Sequence, residues 1–262
     1  MSYKYLLYDV TDGICTIILN SPETMNAMVE QLCEELLAAF DAGLADDTAK
    51  LFVLRSNGRM FSAGGNLQYF KDTVEAGRNL DELWRAIGKL ALELRAMPKL
   101  LITVVHGSAA GAGANLAFAG DMVIAAEDAR FLQYFANIGM PPDCGGSYLL
   151  SRLMGFHRAM ELCLTTRPVS AQEAKQLGLV YSVVPSQNLV EEAYELARRF
   201  VKGPHMAYAR LKRQMFAAYF ADYEKYLNEV EFTTMRECMA SEDFTEGVSA
   251  FLAKRKPEFS GK

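Results

Sequence analysis

Polar and apolar positions alternate on either side of Asp12-Gly13, over residues 4–10 and 14–19. A period of two, interrupted by a dipeptide that tolerates positive φ, predicts a β-hairpin. Asn26 then opens a pattern in which Met28, Leu32, Leu36, Phe40 and Leu44 recur at helical spacing and define one apolar face. The unit repeats in outline: an apolar run at 51–54, a glycine-bearing loop, and a long amphipathic helix over 80–97. A further run at 101–105 leads into Gly107-Ser-Ala-Ala-Gly-Ala-Gly113, 122–125 precedes Arg130-Phe131, and 179–184 supplies a later strand. Strands interleaved with helices predict an α/β fold.

From about Leu189 the pattern changes, because 191–201, 206–220 and 223–239 are all helical in period with no strand between them. This predicts a separate helical module. Tyr208, Phe216, Tyr219, Phe220, Tyr223 and Tyr226 cluster there, more aromatic surface than an isolated helical tail can bury, so it packs on another subunit or on its own chain.

Composition narrows the function classes. With 262 residues, 51% hydrophobic and 23% charged, the chain is long and apolar enough for a large core, which excludes general disorder. A net charge of -5 gives no uniform field for nucleic acid or anionic lipid, although a local basic patch could hold a phosphate-bearing ligand. The cysteines, Cys15, Cys33, Cys144, Cys163 and Cys238, are odd in number and widely spaced, with no zinc-like partners, and read as reduced cytosolic thiols with no metal site. The N-terminal residues resemble neither a secretion signal nor a transit peptide, and no apolar stretch reaches the ~18 residues of a membrane span, so a cytoplasmic protein is expected.

Two glycine-bearing loops each follow an apolar strand, Phe61-Ser-Ala-Gly-Gly-Asn-Leu67 and Gly107 to Gly113. The second runs into Ala114-Asn-Leu-Ala-Phe118, which places its last amides at a helix N-terminus, where free N–H groups favour negative charge. Either loop alone also reads as a tight turn. Neither fits a phosphate loop, since no Gly-Lys-Ser/Thr follows, and the glycine spacing is wrong for a dinucleotide fingerprint. Further on, Asp143 follows two prolines and precedes Cys144 and two glycines in a segment poor in charge. A carboxyl desolvated by Tyr134, Phe135 and Met140 would exchange protons near neutrality, as a general acid/base must. The alternative is an Asp that caps the next helix through the Gly145 or Gly146 amide.

Four motifs occur in order: Asn20-Ser-Pro-Glu-Thr-Met-Asn-Ala27, Ser-Ala-Gly-Gly-Asn-Leu, Gly-Ser-Ala-Ala-Gly-Ala-Gly with the later Asp121, and Glu246-Gly-Val-Ser-Ala-Phe-Leu-Ala-Lys-Arg255. With them the chain resembles the crotonase (enoyl-CoA hydratase/isomerase) superfamily over nearly its whole length. Ala110 to Ala114, Pro142 to Gly146 and Glu246 to Lys262 look closest to the phenylacetate-pathway ring-epoxide isomerases and related enoyl-CoA isomerases.

The resemblance implies a spiral of ββα units over 1–200 that carries the CoA and acyl site, followed by a helical trimerisation region over 201–262, in a homotrimer or dimer of trimers. It implies an acyl-CoA thioester as substrate, with CoA part of that substrate and no separate cofactor. It makes the backbone N–H groups of Gly65 and Ala112 the oxyanion hole and Asp143 the acid/base. Backbone around Ala63, Gly64, Asn66 and Leu67 would receive the adenine end of CoA, with Phe251 and Lys254, from this or a neighbouring subunit, at the nucleotide. Where hydratases of the family carry two glutamates that handle water, this chain has Asn115 and Phe135. Where the first motif usually has a basic residue before Asn-Ala, it has Thr24-Met25. The related aryl-CoA dehalogenases pair a nucleophilic Asp with a His in the preceding helix, but 80–97 contains no His, and His106 reads as structural. The resemblance therefore points to an isomerase, with a hydratase and a non-catalytic acyl-CoA-binding module as the competing readings.

Overall fold

The computed structural model describes residues 3–262. Strand β1 (Leu6–Thr11) pairs antiparallel with β2 (Ile14–Leu19), and Asp12 and Gly13 take φ of 51° and 82°. Two consecutive positive values are what a two-residue hairpin turn of the strands' own twist requires.

The helix expected from Asn26 starts later, as α1 (Glu30–Ala45). Asn26 instead lies in the left-handed region at φ 53°, almost fully buried. Its side chain accepts the Ser21 N–H at 2.8 Å and donates to the Asn57 and Phe61 carbonyls at 2.9 and 3.2 Å. A short amide that satisfies neighbouring backbone in this way competes with helix formation, and here it wins.

The chain continues through β3 (Leu51–Ser56), α2 (Leu67–Glu75), α3 (Asp81–Ala96), β4 (Leu100–Val105), β5 (Ser108–Ala110), α4 (Ala112–Phe118), β6 (Met122–Ala126) and β7 (Arg130–Leu132). It then forms α5 (Gly146–Met154), α6 (Phe156–Thr165), β8 (Val169–Ser170), α7 (Ala171–Gln176), β9 (Ser182–Val184) and α8 (Leu189–Val201). β9 is shorter than the run at 179–184 because Gly178, at φ 80°, closes α7 and returns the Leu179 N–H to the Ala174 carbonyl at 2.9 Å.

A six-stranded sheet has the order β1-β2-β3-β4-β6-β9, parallel from β2 onward, and a three-stranded sheet has the order β5-β7-β8. Successive units each give a long strand to the first sheet and a short one to the second: β4 with β5, and β6 with β7. In the unit begun by β3, the short strand shrinks to one bridge, Ser62 to Ala109. That stagger is the ββα pattern the resemblance implied.

Alternation along the strands divides the core. Phe52, Leu54, Leu101 and Val105 face α1 and α3, whereas Leu51, Val53, Ile102 and Val104 face Leu189, Ala193 and Leu196 of α8. Covered on both faces, these strands are nearly continuous apolar runs, as parallel strands should be.

Helix α9 (His205–Tyr219) buries none of its residues and exposes Met206, Leu211, Met215 and Tyr219. After it come α10 (Tyr223–Lys225), a π-helical turn (Tyr226–Glu231), α11 (Phe232–Met239) and α12 (Glu242–Leu252). Of the clustered aromatics, Phe220 and Tyr223 are buried on this same chain, and the Tyr148 ring lies 4.9 Å from Tyr223 and 5.1 Å from Tyr226. Helix α12 approaches the segment before Asp143 closely: a Cβ on Gly247 would lie 2.6 Å from the Ile138 Cα.

Candidate active site

The two glycine-bearing loops leave neighbouring parallel strands at their C-terminal ends and are fastened together. Ala110 N–H donates to the Ser62 carbonyl at 2.9 Å, and a Cβ on Gly64 would come within 2.5 Å of the Ala110 carbonyl oxygen. The 20–28 segment braces the first loop from the other side. Ala63 N–H donates to Met25 O at 3.0 Å, Met28 N–H to Gly64 O at 2.7 Å and Asn66 N–H to Met28 O at 3.0 Å.

Between these bonded amides, the N–H groups of Gly65, Ala112 and the adjoining Gly113 have no acceptor among the described residues. The amides around them are engaged. Gly64 N–H donates to Ser62 Oγ at 3.2 Å, Gly111 N–H to Leu132 O at 2.8 Å, and the Ala114 and Asn115 amides to Gly111 O. Amides left unpaired inside a protein are rare, so those on these adjoining loops can together stabilise an anion. Gly111 makes the second possible, because its φ of 51° and ψ of -126° are open only to glycine.

A cavity of about 510 Å³ opens beside these loops. Ala63, Gly65, Asn66, Leu67, Phe135, Asp143 and Phe251 line it, while Gly64, Ala112, Asn115 and Lys254 stand off its wall. Asn66 also caps α2, its Oδ1 accepting the Tyr69 N–H at 3.0 Å. Lys254 is exposed just beyond α12, and His106 bonds the Gly58 carbonyl at 2.8 Å away from the cavity.

Asp143 carries the only carboxyl on this wall among the described residues. It is 4% exposed, and its Oδ1 has no hydrogen-bond partner. Burial pushes its pKa up to about 7, against a smaller pull from its own backbone amide. The capping alternative fails on the same geometry. Gly146 N–H donates to the Asp143 main-chain carbonyl at 2.8 Å, and Gly145 N–H goes to both carboxylate oxygens of Glu231, at 3.1 and 3.0 Å. Beneath the turn, buried Asn115 donates from Nδ2 to the Asp143 carbonyl at 2.8 Å and accepts from Gln133 Nε2 at 2.8 Å. Asn115 is thus part of the support of the Asp143 backbone.

Sequence reasoning missed Phe70, Trp84 and Met235 as cavity walls, and Glu231 altogether. A signal for Glu231 existed: Tyr223, Leu227, Glu231 and Met235 form a buried row at a spacing of four, with one carboxylate among apolar residues.

The family model for enoyl-CoA hydratase/isomerase matches residues 9–262. The trans-2-decenoyl-[acyl-carrier-protein] isomerase of Streptococcus mutans is 34% identical over 100% of both chains, and the 1,2-epoxyphenylacetyl-CoA isomerase of Escherichia coli is 36% identical over 99% of both. Among solved structures, an enoyl-CoA hydratase from Mycobacterium avium subsp. paratuberculosis superposes with a TM-score of 0.90 at 30% identity, over 99% of this chain and 100% of that one. Matched from end to end in sequence and fold, the chain is an enzyme of the enoyl-CoA hydratase/isomerase family with the crotonase fold.

Proposed function

We propose that the enzyme is an acyl-CoA isomerase, which shifts a double bond or opens a ring epoxide next to a CoA thioester. The observation that carries this reading is a lone buried carboxyl, Asp143, on a mostly apolar wall beside the unpaired Gly65 and Ala112 amides. Ionised Asp143 takes a proton from the carbon next to the thioester, and the negative charge moves to the thioester oxygen. The Gly65 and Ala112 amides stabilise that oxyanion, each contributing about 3 kcal/mol by analogy with single-donor deletions. For a 3-enoyl thioester, Asp143 then returns the proton to the far end of the delocalised enolate, leaving a 2-enoyl product. One carboxyl serves both steps.

Adding water would need a second proton carrier, and Asn115 and Phe135 hold the two positions from which hydratase glutamates act. The apolar Phe135 ring on the cavity wall also disfavours a bound water there. No lysine, arginine or histidine among the described residues lines this mostly apolar wall, which suits an uncharged, apolar acyl group, aliphatic or aromatic. Backbone at Ala63, Gly64, Asn66 and Leu67 takes the CoA end, with Phe251 and Lys254 near its nucleotide, and no cofactor beyond the CoA of the substrate is used. Met206, Leu211 and Met215 on α9 support a homotrimer or dimer of trimers built through 201–262. No helix among the described residues is long and apolar enough to cross a membrane. A cytoplasmic enzyme accords with the reduced cysteines.

Incubating the enzyme with 2-enoyl and 3-enoyl thioesters in heavy-oxygen water tests the reaction class. Double-bond migration without label is expected, whereas rapid uptake of label at the β-carbon would make the enzyme a hydratase.

A further inference from the structure

The turn that carries Asp143 is built from two consecutive left-handed residues, Cys144 at φ 53° and Gly145 at φ 71°. Their amides converge on the carboxylate of Glu231, which accepts Gly145 N–H through both oxygens and is also bonded by Cys144 N–H. Successive backbone N–H groups in such a turn form a concave anion seat. Here the anion comes from the protein itself, 86 residues later in the chain. Glu231 is 6% exposed, and among the described residues no lysine, arginine or histidine makes a polar contact with it.

The segment bearing Glu231 is shaped for this contact. Residues spaced by four on an α-helix drift about 40° per step, so a row of four such residues turns away from a flat surface. Tyr223, Leu227, Glu231 and Met235 nevertheless stay buried, because the π-helical turn from Tyr226 to Glu231 widens the coil and offsets the drift. Tyr223 packs so closely on Gly145 that a Cβ there would overlap its hydroxyl, and Met235 lines the cavity. One helical face thus touches both the back of the Asp143 turn and the substrate space.

We propose that Glu231 is a positioning residue, whose carboxyl group, seated on the Cys144 and Gly145 amides, fixes the turn from which Asp143 meets the cavity. This rests on Asp143 being the acid/base. Burial raises the proton affinity of Glu231 and the nearby Asp143 adds to it, while the two amides favour its ionised form. The other groups facing the pair are Cys144, Tyr223 and Tyr226, with Cys33 of α1 facing Asp143 and Arg95 of α3 facing Tyr223. Cys33, Cys144 and Tyr223 are likewise pushed upward by burial.

Amide hydrogen exchange over residues 143–146 in the parent, Glu231→Gln and Glu231→Leu separates this proposal from the proposed function, because it reads the turn without turnover. Glu231→Gln keeps an oxygen that accepts from the turn, so its exchange and kcat should stay within a few-fold of the parent. Glu231→Leu, which removes the acceptor, should exchange these amides at least about tenfold faster and lower kcat at least about 100-fold with KM little changed; should it fail to fold, Glu231→Gln still decides. Parent-like exchange and kcat in a folded Glu231→Leu, or a kcat about 100-fold lower in Glu231→Gln, would overturn the proposal. Should Asp143→Asn stay fully active while the turn behaves as predicted, the proposed function would fall instead.

Discussion

Asn115 Nδ2 donates to the main-chain carbonyl of Asp143 across 2.8 Å of buried protein, so a residue of α4 holds the turn that carries Asp143. The same side chain accepts from Gln133, and a Cβ on Gly146 would lie 2.2 Å from its Nδ2. Asn115→Ala therefore leaves the buried Gln133 amide without its acceptor and the Asp143 carbonyl with the Gly146 N–H alone. It should lower stability by about 1–3 kcal/mol in urea unfolding and reduce kcat more than it raises KM. Parent stability would show that the pair does not support the turn.

The pH dependence follows from the desolvated carboxyl. A base must be ionised to accept a proton, so kcat/KM should rise with pH through a midpoint near the value of about 7 that burial gives Asp143. A rate profile flat from pH 5 to 8 would contradict that assignment.

The same carboxyl costs stability. The folded chain keeps the Asp143 proton up to about pH 7, whereas an unfolded chain releases it near 3.8. The stability gained from this proton is therefore complete below pH 3.8 and is lost as the pH rises through 7. Asp143→Asn has no such proton to lose. Its stability relative to the parent should grow between pH 4 and 8, by up to about 4 kcal/mol, in thermal or urea unfolding across that range.

Glycines differ sharply in what they permit. Gly88 lies within α3 with nothing near its missing Cβ, so Gly88→Ala should raise stability by about 0.5–1 kcal/mol. Gly145 combines φ 71° with the Tyr223 hydroxyl at its missing Cβ, so Gly145→Ala should unfold the site or abolish turnover. Paired melting curves of the two variants check both signs.

The fold was largely legible because its signals are local. The hairpin turn, the strand runs and α3 each follow from period and turn chemistry within a few residues. Asn26 misled the helical reading because its side chain satisfies backbone more than 30 residues away. For the same reason the site was only half legible. Gly65, Ala112 and Asp143 sit in motifs, but Trp84 and Met235 reach the cavity from helices whose apolar faces look like ordinary core. Glu231 meets Gly145 through a turn whose π-helical shape no heptad pattern announces. The capping role that composition offered Asp143 belongs, for the Gly145 amide, to Glu231.

The most direct test of the mechanism is single-turnover kinetics of Asp143→Asn beside equilibrium binding of a CoA thioester to the same variant. The account predicts that isomerisation is lost while binding stays within a few-fold of the parent. An Asp143→Asn enzyme that isomerises its substrate at the parent rate would contradict it.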